Sequence, residues 1–328
     1  MGVFDHLWRQ ARQTALVAMA ILLALGLTLG VGSQAAQAQH PASRWQVSIT
    51  IDDIPMAGLT CPTDAVRTVN EDLLETLASH KVRAAAFFVP GSGCSGDGEV
   101  AADALAGRWR AAGHLVGNHS YSHQDYNDVG PEAYISDAQL AHNALEPVLA
   151  RTGQQGRWFR PPYLHAGADL SRLGALTRWM GQTGHRMGVV TIDNQEWVYA
   201  RAYDHAVAAD DEVRKAAIAA AYLEHMLASA DYYRRLSRQV LGREIPQVLL
   251  IHANRLNADR LDDLLDAYAR TGADFVPFND ALADPAYGEA EIYVGRRGLS
   301  WLQRWAISRG IQPPLEPREH AWVADAAR

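Results

Sequence analysis

Val47-Ser48-Ile49-Thr50-Ile51-Asp52-Asp53 is a short apolar run that ends in two adjacent carboxylates. It reads as a buried strand, and the pattern recurs along the chain. Six further runs follow: Ala84–Val89, His114–Gly117, Trp158–Phe159, Met187–Ile192, Val248–Ile251 and Phe275–Phe278. Between several of them lie amphipathic stretches with helical spacing: Ala65–Ser79, Val100–Ala112, Pro131–Arg151, Leu170–Gln182 and Ala258–Arg270. Short buried strands that alternate with helices predict a parallel sheet. About seven such units predict a barrel rather than an open sheet. The expected fold is therefore α/β, a distorted (β/α)7-type barrel.

Reactive residues stand just after the strand runs. Asp52 and Asp53 follow the first, His119 the third, Arg160 to Tyr163 the fourth, Asp193 the fifth and His252 the sixth. In a parallel barrel the C-terminal strand ends share one face, where catalytic groups gather. Residues two hundred positions apart are thus expected in one pocket.

Two regions break the alternation. Residues 199–243 are Ala-rich, charged and helical in pattern, and predict a helical insertion before the sixth strand, near the mouth of the site. After Asp284 a tail over residues 285–328 carries Trp301, Trp305 and Trp322 and is expected to pack on a catalytic barrel spanning residues 39–284. The first 38 residues differ from both. Arg9 and Arg12 precede an apolar run from Ala15 to Val31, and Ala36-Gln37-Ala38 follows. This is the pattern of a secretory signal, with cleavage expected after Ala38. The protein is then exported, periplasmic or secreted, and membrane-associated only if the leader stays uncleaved. The formal net charge of −7 leaves no electrostatic footprint for nucleic acid. Cys61 and Cys94 each sit in a Gly/Pro-containing loop after a strand run, and export makes a disulfide between them the expected pairing.

His119 and His123 provide two imidazoles four residues apart, a spacing that puts both on one side of a helical turn. A catalytic metal needs about three protein ligands and an open position, and the Asp53 carboxylate would complete the set. Asp52 and Asp53 are expected to point in different directions from an extended backbone, one toward the metal and one toward water as a base.

Five stretches in order now resemble one family. They are Thr50-Ile51-Asp52-Asp53, His119-Ser120-Tyr121-Ser122-His123, Arg160-Pro161-Pro162-Tyr163, Asp193-Asn194-Gln195-Glu196-Trp197 and Leu249-Leu250-Ile251-His252. The chain resembles the polysaccharide deacetylases of carbohydrate esterase family four, which act on chitin, chitooligosaccharides and peptidoglycan. The resemblance implies Asp52 as general base and Asp53, His119 and His123 as ligands of a divalent metal. Zinc is the expected ion, with cobalt or another divalent ion as alternatives. It implies Arg160 as the group that orients the base, and the backbone N–H of Tyr163 as a donor to the oxyanion. His252 would be the general acid, a carboxylate of the fourth motif would hold it charged, and Trp197 would line the pocket. The expected substrate is an N-acetylated glycan.

The chain departs from the family pattern in three places. Glu196 stands where Asp usually precedes the Trp, which leaves Glu196 and Asp193 both as candidate partners of His252. Ile54-Pro55 stands where Gly is usual, and Leu164-His165 continues the third motif in place of Gly. Hydrolysis of an O-acetyl ester, as on acetylxylan, needs the same water attack, and the motifs do not separate it from amide hydrolysis. A glycan-binding protein without turnover would lack a base, ligand or acid, and none is missing here. A two-His, one-carboxylate set also suits non-haem iron oxygenases, but the second carboxylate beside Asp53 suits hydrolysis better.

Overall fold

A computed structural model describes residues 44–328 apart from 290 and 291; the leader expected over residues 1–38 lies outside the described residues. Seven parallel strands form one curled sheet: β1 Trp45–Ile54, β2 Ala85–Phe88, β3 Leu115–Asn118, β4 Arg157–Phe159, β5 His185–Met187, β6 Gln247–His252 and β7 Ala273–Phe275. The pairing order is β5-β4-β3-β2-β1-β6, and β7 pairs with the first residues of β1. Val47 partners both Gln247 and Phe275, so β6 and β7 flank opposite edges of β1. The expected α/β barrel of seven strands is present in this distorted form.

Among the described residues ten helices accompany the sheet: α1 Thr63–Ser79, α2 Ala102–Ala111, α3 Pro131–Arg151, α4 Leu170–Thr183, α5 Glu196–Ala208, α6 Glu212–Leu241, α7 Arg255–Arg270, α8 Phe278–Ala281, α9 Trp301–Ser308 and α10 Ala321–Ala326. The insertion is a hairpin of α5 and the 30-residue α6, and it begins at Glu196, directly from the fourth motif. Among the described residues no helix is long and apolar enough to cross a membrane.

β1 shows why strand ends carry the chemistry. Val47, Ile49 and Ile51 are fully buried, and so are Ser48 and Thr50 between them. Both faces of the strand are therefore covered, as parallel sheets require. Thr50 donates its hydroxyl to the Leu249 carbonyl (2.6 Å) and accepts from Arg160, so the polar face is satisfied.

Two strand boundaries differ from the sequence reading, each for a local reason. The fifth run pairs with β4 only over His185–Met187. Beyond it, the carbonyls of Gly188 and Val189 accept from the Arg160 guanidinium, at 2.8 and 3.2 Å. The chain then crosses to β6, where Ile192 bridges Leu249 and links the two ends of the sheet path. A Cβ on Gly188 would lie 2.7 Å from the Phe87 ring, so only glycine fits where the chain leaves β4. The seventh run stops at Phe275, because Pro277 lacks an N–H and Phe278 opens α8.

Candidate active site

Asp52 ends the polar face of β1 and is 1% exposed. Its Oδ1 accepts from Arg160 Nη1 at 2.6 Å. Arg160 is fully buried, is spread over four acceptors (Asp52, Thr50, Gly188 and Val189), and lies over the Phe87 ring at 4.0 Å. A guanidinium locked this way holds one carboxylate oxygen in a fixed place.

The expectation that Asp52 and Asp53 point apart is corrected here. Asp53 has φ of 61°, and the β1–β2 register shifts between Ile51 and Ile54. This left-handed step abolishes the strand alternation and turns the second carboxylate to the same side as the first. His119 Nε2 consequently lies 3.6 Å from Asp52 Oδ2 and 3.6 Å from Asp53 Oδ1.

The two histidines also do not share a helical turn. Residues 119–123 form an irregular loop, with Ser120 at φ 63° and His123 at φ 57°. Polar side chains shape it: Asn118 Oδ1 accepts from Ser120 N, and Asp137 on α3 accepts from Tyr121 N, Ser122 N and the Ser122 hydroxyl. These bonds give the backbone an alternative to the helix. The rings still meet, with centroids 5.1 Å apart. His119 Nδ1 donates to the Arg160 carbonyl at 2.7 Å, which leaves the Nε2 lone pair facing the pocket.

Asp53 Oδ1 is 3.2 Å from His123 Nε2, and the ligand atoms of Asp53, His119 and His123 lie within 4.8 Å of one another. Asp53 Oδ1 is buried and accepts no hydrogen bond. Burial alone would raise the Asp53 carboxyl, but His123, His252 and His119 outweigh it and hold it well below the usual range. Burial lowers His119 and keeps it neutral, while at His123 the Asp53 charge overcomes burial and raises it. One charged oxygen without a donor, facing two imidazole nitrogens, is a donor set that fits a divalent cation.

The opposite flank is built on His252, at the end of β6. Its Nδ1 donates to Glu196 Oε2 at 2.7 Å. Burial would lower this imidazole; Glu196, then Asp53 and Asp52, outweigh it and raise it to about 10. The longer glutamate is therefore the direct partner of His252. Its other oxygen accepts from Asn254 and Asn257, both at 2.6 Å, so the carboxylate is fully engaged. Asp193 lines the pocket apart from that pair; burial and the charge of Glu316 push it up to about 6, against the pull of His252.

The insertion completes this flank. Tyr222 on α6 donates to Asn257 Oδ1 at 2.7 Å, and His225 donates to the carbonyl of Asn194. Asn194 in turn accepts from Glu196 N and donates to Leu250 O. The sequence reading missed Asn194, Asn254, Asn257, Tyr222 and His225. Asn254 alone carried a local signal, since it caps α7 by accepting from Asn257 N.

Between the flanks is a pocket of about 550 Å³ lined by Asp52, Asp53, His119, His123, Asp193 and His252. Tyr163 and Trp197 reach its rim, about half exposed. Tyr163 has φ of 56° and sets its ring edge to face against His123, with centroids 4.8 Å apart. His165, which continues the third motif, lines the pocket and donates to Asp125 at 2.7 Å. Cys61 and Cys94 are joined as a disulfide, with Cα atoms 5.2 Å apart.

Comparisons with known proteins agree with this geometry. Residues 39–177 match the polysaccharide deacetylase family. A chitin deacetylase of Colletotrichum lindemuthianum is 31% identical over 148 residues, 44% of this chain and 52% of that protein. A chitin deacetylase of Pestalotiopsis sp is 29% identical over 130 residues, 39% of this chain and 38% of that protein. The chain thus spans about half, or less, of the length of these curated relatives. The solved chitin deacetylase from the fungal pathogen Colletotrichum lindemuthianum superposes with a TM-score of 0.50 at 20% identity, over 74% of this chain and 90% of that one. The shared architecture is the fold.

Proposed function

From the match of residues 39–177 to the polysaccharide deacetylase family we propose that the protein hydrolyses N-acetyl groups on an amino-sugar polymer or oligomer and releases acetate. The observation that carries this reading is the meeting, in one pocket, of a base, a donor set for a divalent cation and a charged acid. Asp52, fixed by Arg160, takes a proton from the attacking water. The N–H of Tyr163 faces the oxygen that gains charge as the acetamide carbonyl turns tetrahedral. His252, kept charged by Glu196, gives its proton to the departing amine, because an unprotonated amine leaves poorly. Asp53, His119 and His123 would hold a divalent ion, expected to be zinc, which when bound supplies a Lewis acid and a lowered pKa for water. The disulfide supports export to an oxidising compartment, where an extracytoplasmic glycan is the substrate.

The test is acetate release from N-acetylglucosamine oligomers by purified protein, before and after chelation and with zinc or cobalt restored. Release that stops with chelator and returns with metal is expected. Release indifferent to chelator would remove the metal from the reading, and activity on acetylxylan alone would move it to ester hydrolysis.

A further inference from the structure

We propose that residues 295–304 form a strap that holds the Tyr163–Leu164 turn in its reactive conformation, with Arg304 and Gly298 as positioning residues. The inference rests on the proposed function, in which the Tyr163 N–H faces the oxyanion. Tyr163 and Leu164 have φ of 56° and 55°. Two consecutive non-glycine residues in the left-handed region are costly, and such strain persists only where the surroundings impose it. The turn's own bonds, Leu164 N to Pro161 O and His165 N to Pro162 O, act within the same few residues. The imposing contacts come from far along the chain.

Arg304 is 1% exposed and donates through Nη2 to the Leu164 carbonyl at 2.5 Å and through Nε to the Leu299 carbonyl at 2.9 Å. Its guanidinium lies over the Trp301 ring at 4.1 Å. One rigid fork therefore ties the turn to the strap. Gly298 lines the pocket, and a Cβ there would lie 1.8 Å from the Tyr163 carbonyl oxygen. Backbone meets backbone at this point, so the strap limits where the Tyr163 carbonyl can go. The strap is itself anchored: Asn127 donates to Arg296 O at 2.8 Å, Gly295 N to Gly167 O at 3.3 Å and Trp301 N to Val190 O at 2.8 Å. Three separate anchors prevent strap and turn from drifting together. The expected role of the tail, packing on the barrel, thereby extends to the reaction itself.

The experiment compares Arg304→Met, Arg304→Lys and Gly298→Ala with the wild type in steady-state acetate release from N-acetylglucosamine oligomers. Arg309→Met is the control, since Arg309 anchors the same tail to Val240 and does not touch the turn. A donor displaced by about 1 Å costs about a hundredfold in rate. Arg304→Met is expected to lose about that much in kcat, with KM and zinc affinity unchanged, because the lost interaction belongs to the transition state. Arg304→Lys is expected to recover part of it, and Arg309→Met to keep kcat. If Arg304→Met does not fold, Gly298→Ala gives the answer, again as a fall in kcat at constant KM. Variants that lose thermal stability but keep kcat within about twofold of the wild type would overturn the proposal. Amide exchange at residues 163–165 gives a readout independent of turnover, with faster exchange expected in Arg304→Met or Gly298→Ala. A wild type that releases no acetate, with exchange still faster in the variants, would sink the deacetylase reading and leave the strap standing. Unchanged exchange would overturn the strap.

Discussion

The two flanks of the pocket are held by different means. The earlier flank, within residues 44–177, carries Asp52, Asp53, His119, His123 and Tyr163, and its precision is in the backbone. Asp53, Ser120, His123 and Tyr163 all sit at positive φ, and the buried Arg160 fixes Asp52, the proposed base. The later flank carries His252, and its precision is in side chains. Asn254 and Asn257 donate to Glu196, Tyr222 donates to Asn257, and His225 donates to the carbonyl of Asn194. A backbone-built flank tolerates little change in residue type at each strained position. A side-chain network can adapt to a longer carboxylate, and here Asn254 and Asn257 both donate to Glu196.

The comparison breaks most sharply at the base. Asp52→Asn keeps the shape of the side chain but removes the proton acceptor, and kcat is expected to fall on the order of 10²–10⁴. Zinc affinity, measured by calorimetry, should stay near the wild-type value, because Asp53, His119 and His123 form the donor set. A variant that loses zinc affinity together with rate would show that Asp52 and Asp53 act as one ligand group and not as base and ligand.

The second effect is smaller and lies on the other flank. His252 is raised to about 10, with Glu196 the largest of the raising influences. The charged imidazole is therefore present below that value and lost as pH rises through it. Glu196→Gln keeps the side-chain length but removes the charge, so the alkaline limb of kcat should move down toward the ordinary histidine value of 6.5. A rate loss of about fourfold at pH 7 is expected once the limb reaches that value, growing roughly tenfold for each further pH unit, because only the protonated imidazole serves as the acid. An alkaline limb that does not move would transfer the partnership to Asp193 or remove His252 from the acid role.

Motif reading reached the first flank further than the second. The order of Asp52, His119, Arg160 and His252 after successive strand runs was enough to place them on one face, because strand direction in a parallel barrel fixes where strand ends gather. The dihedral at Asp53 was not legible, since Asp-Asp after an apolar run does not encode a left-handed step. Nor was the loop at His119–His123, whose spacing fits a helix until Asp137 takes its N–H groups. On the second flank the choice between Glu196 and Asp193 depended on where Asn254 and Asn257 point. Tyr222 lies in an Ala-rich helix whose pattern speaks only of helix, and Arg304 reaches Leu164 across 140 positions. Such long-range hydrogen bonds leave no periodicity behind.

The smallest predicted effect separates the flanks most cleanly. Tyr222→Phe removes only the hydroxyl that donates to Asn257, three hydrogen bonds from the His252 imidazole by way of Asn257 and Glu196. Tyr222 is fully buried, so the Asn257 oxygen would be left without a donor, at a cost of about 1–3 kcal/mol in stability. If the side-chain network sets the acid, part of that loss appears as a modest downward shift of the alkaline limb, because a loosened Asn257 holds Glu196 less firmly. Zinc affinity and the kcat loss caused by Asp52→Asn should be the same in the Tyr222→Phe background, since none of the described hydrogen bonds of Asp52, Asp53, His119 or His123 reaches α6. Thermal melts, the pH profile and a double-mutant cycle with Asp52→Asn make the three measurements. Coupling between Tyr222 and Asp52 well above about 0.5 kcal/mol, the usual limit of additivity for independent sites, would mean that the two flanks form one mechanical unit after all.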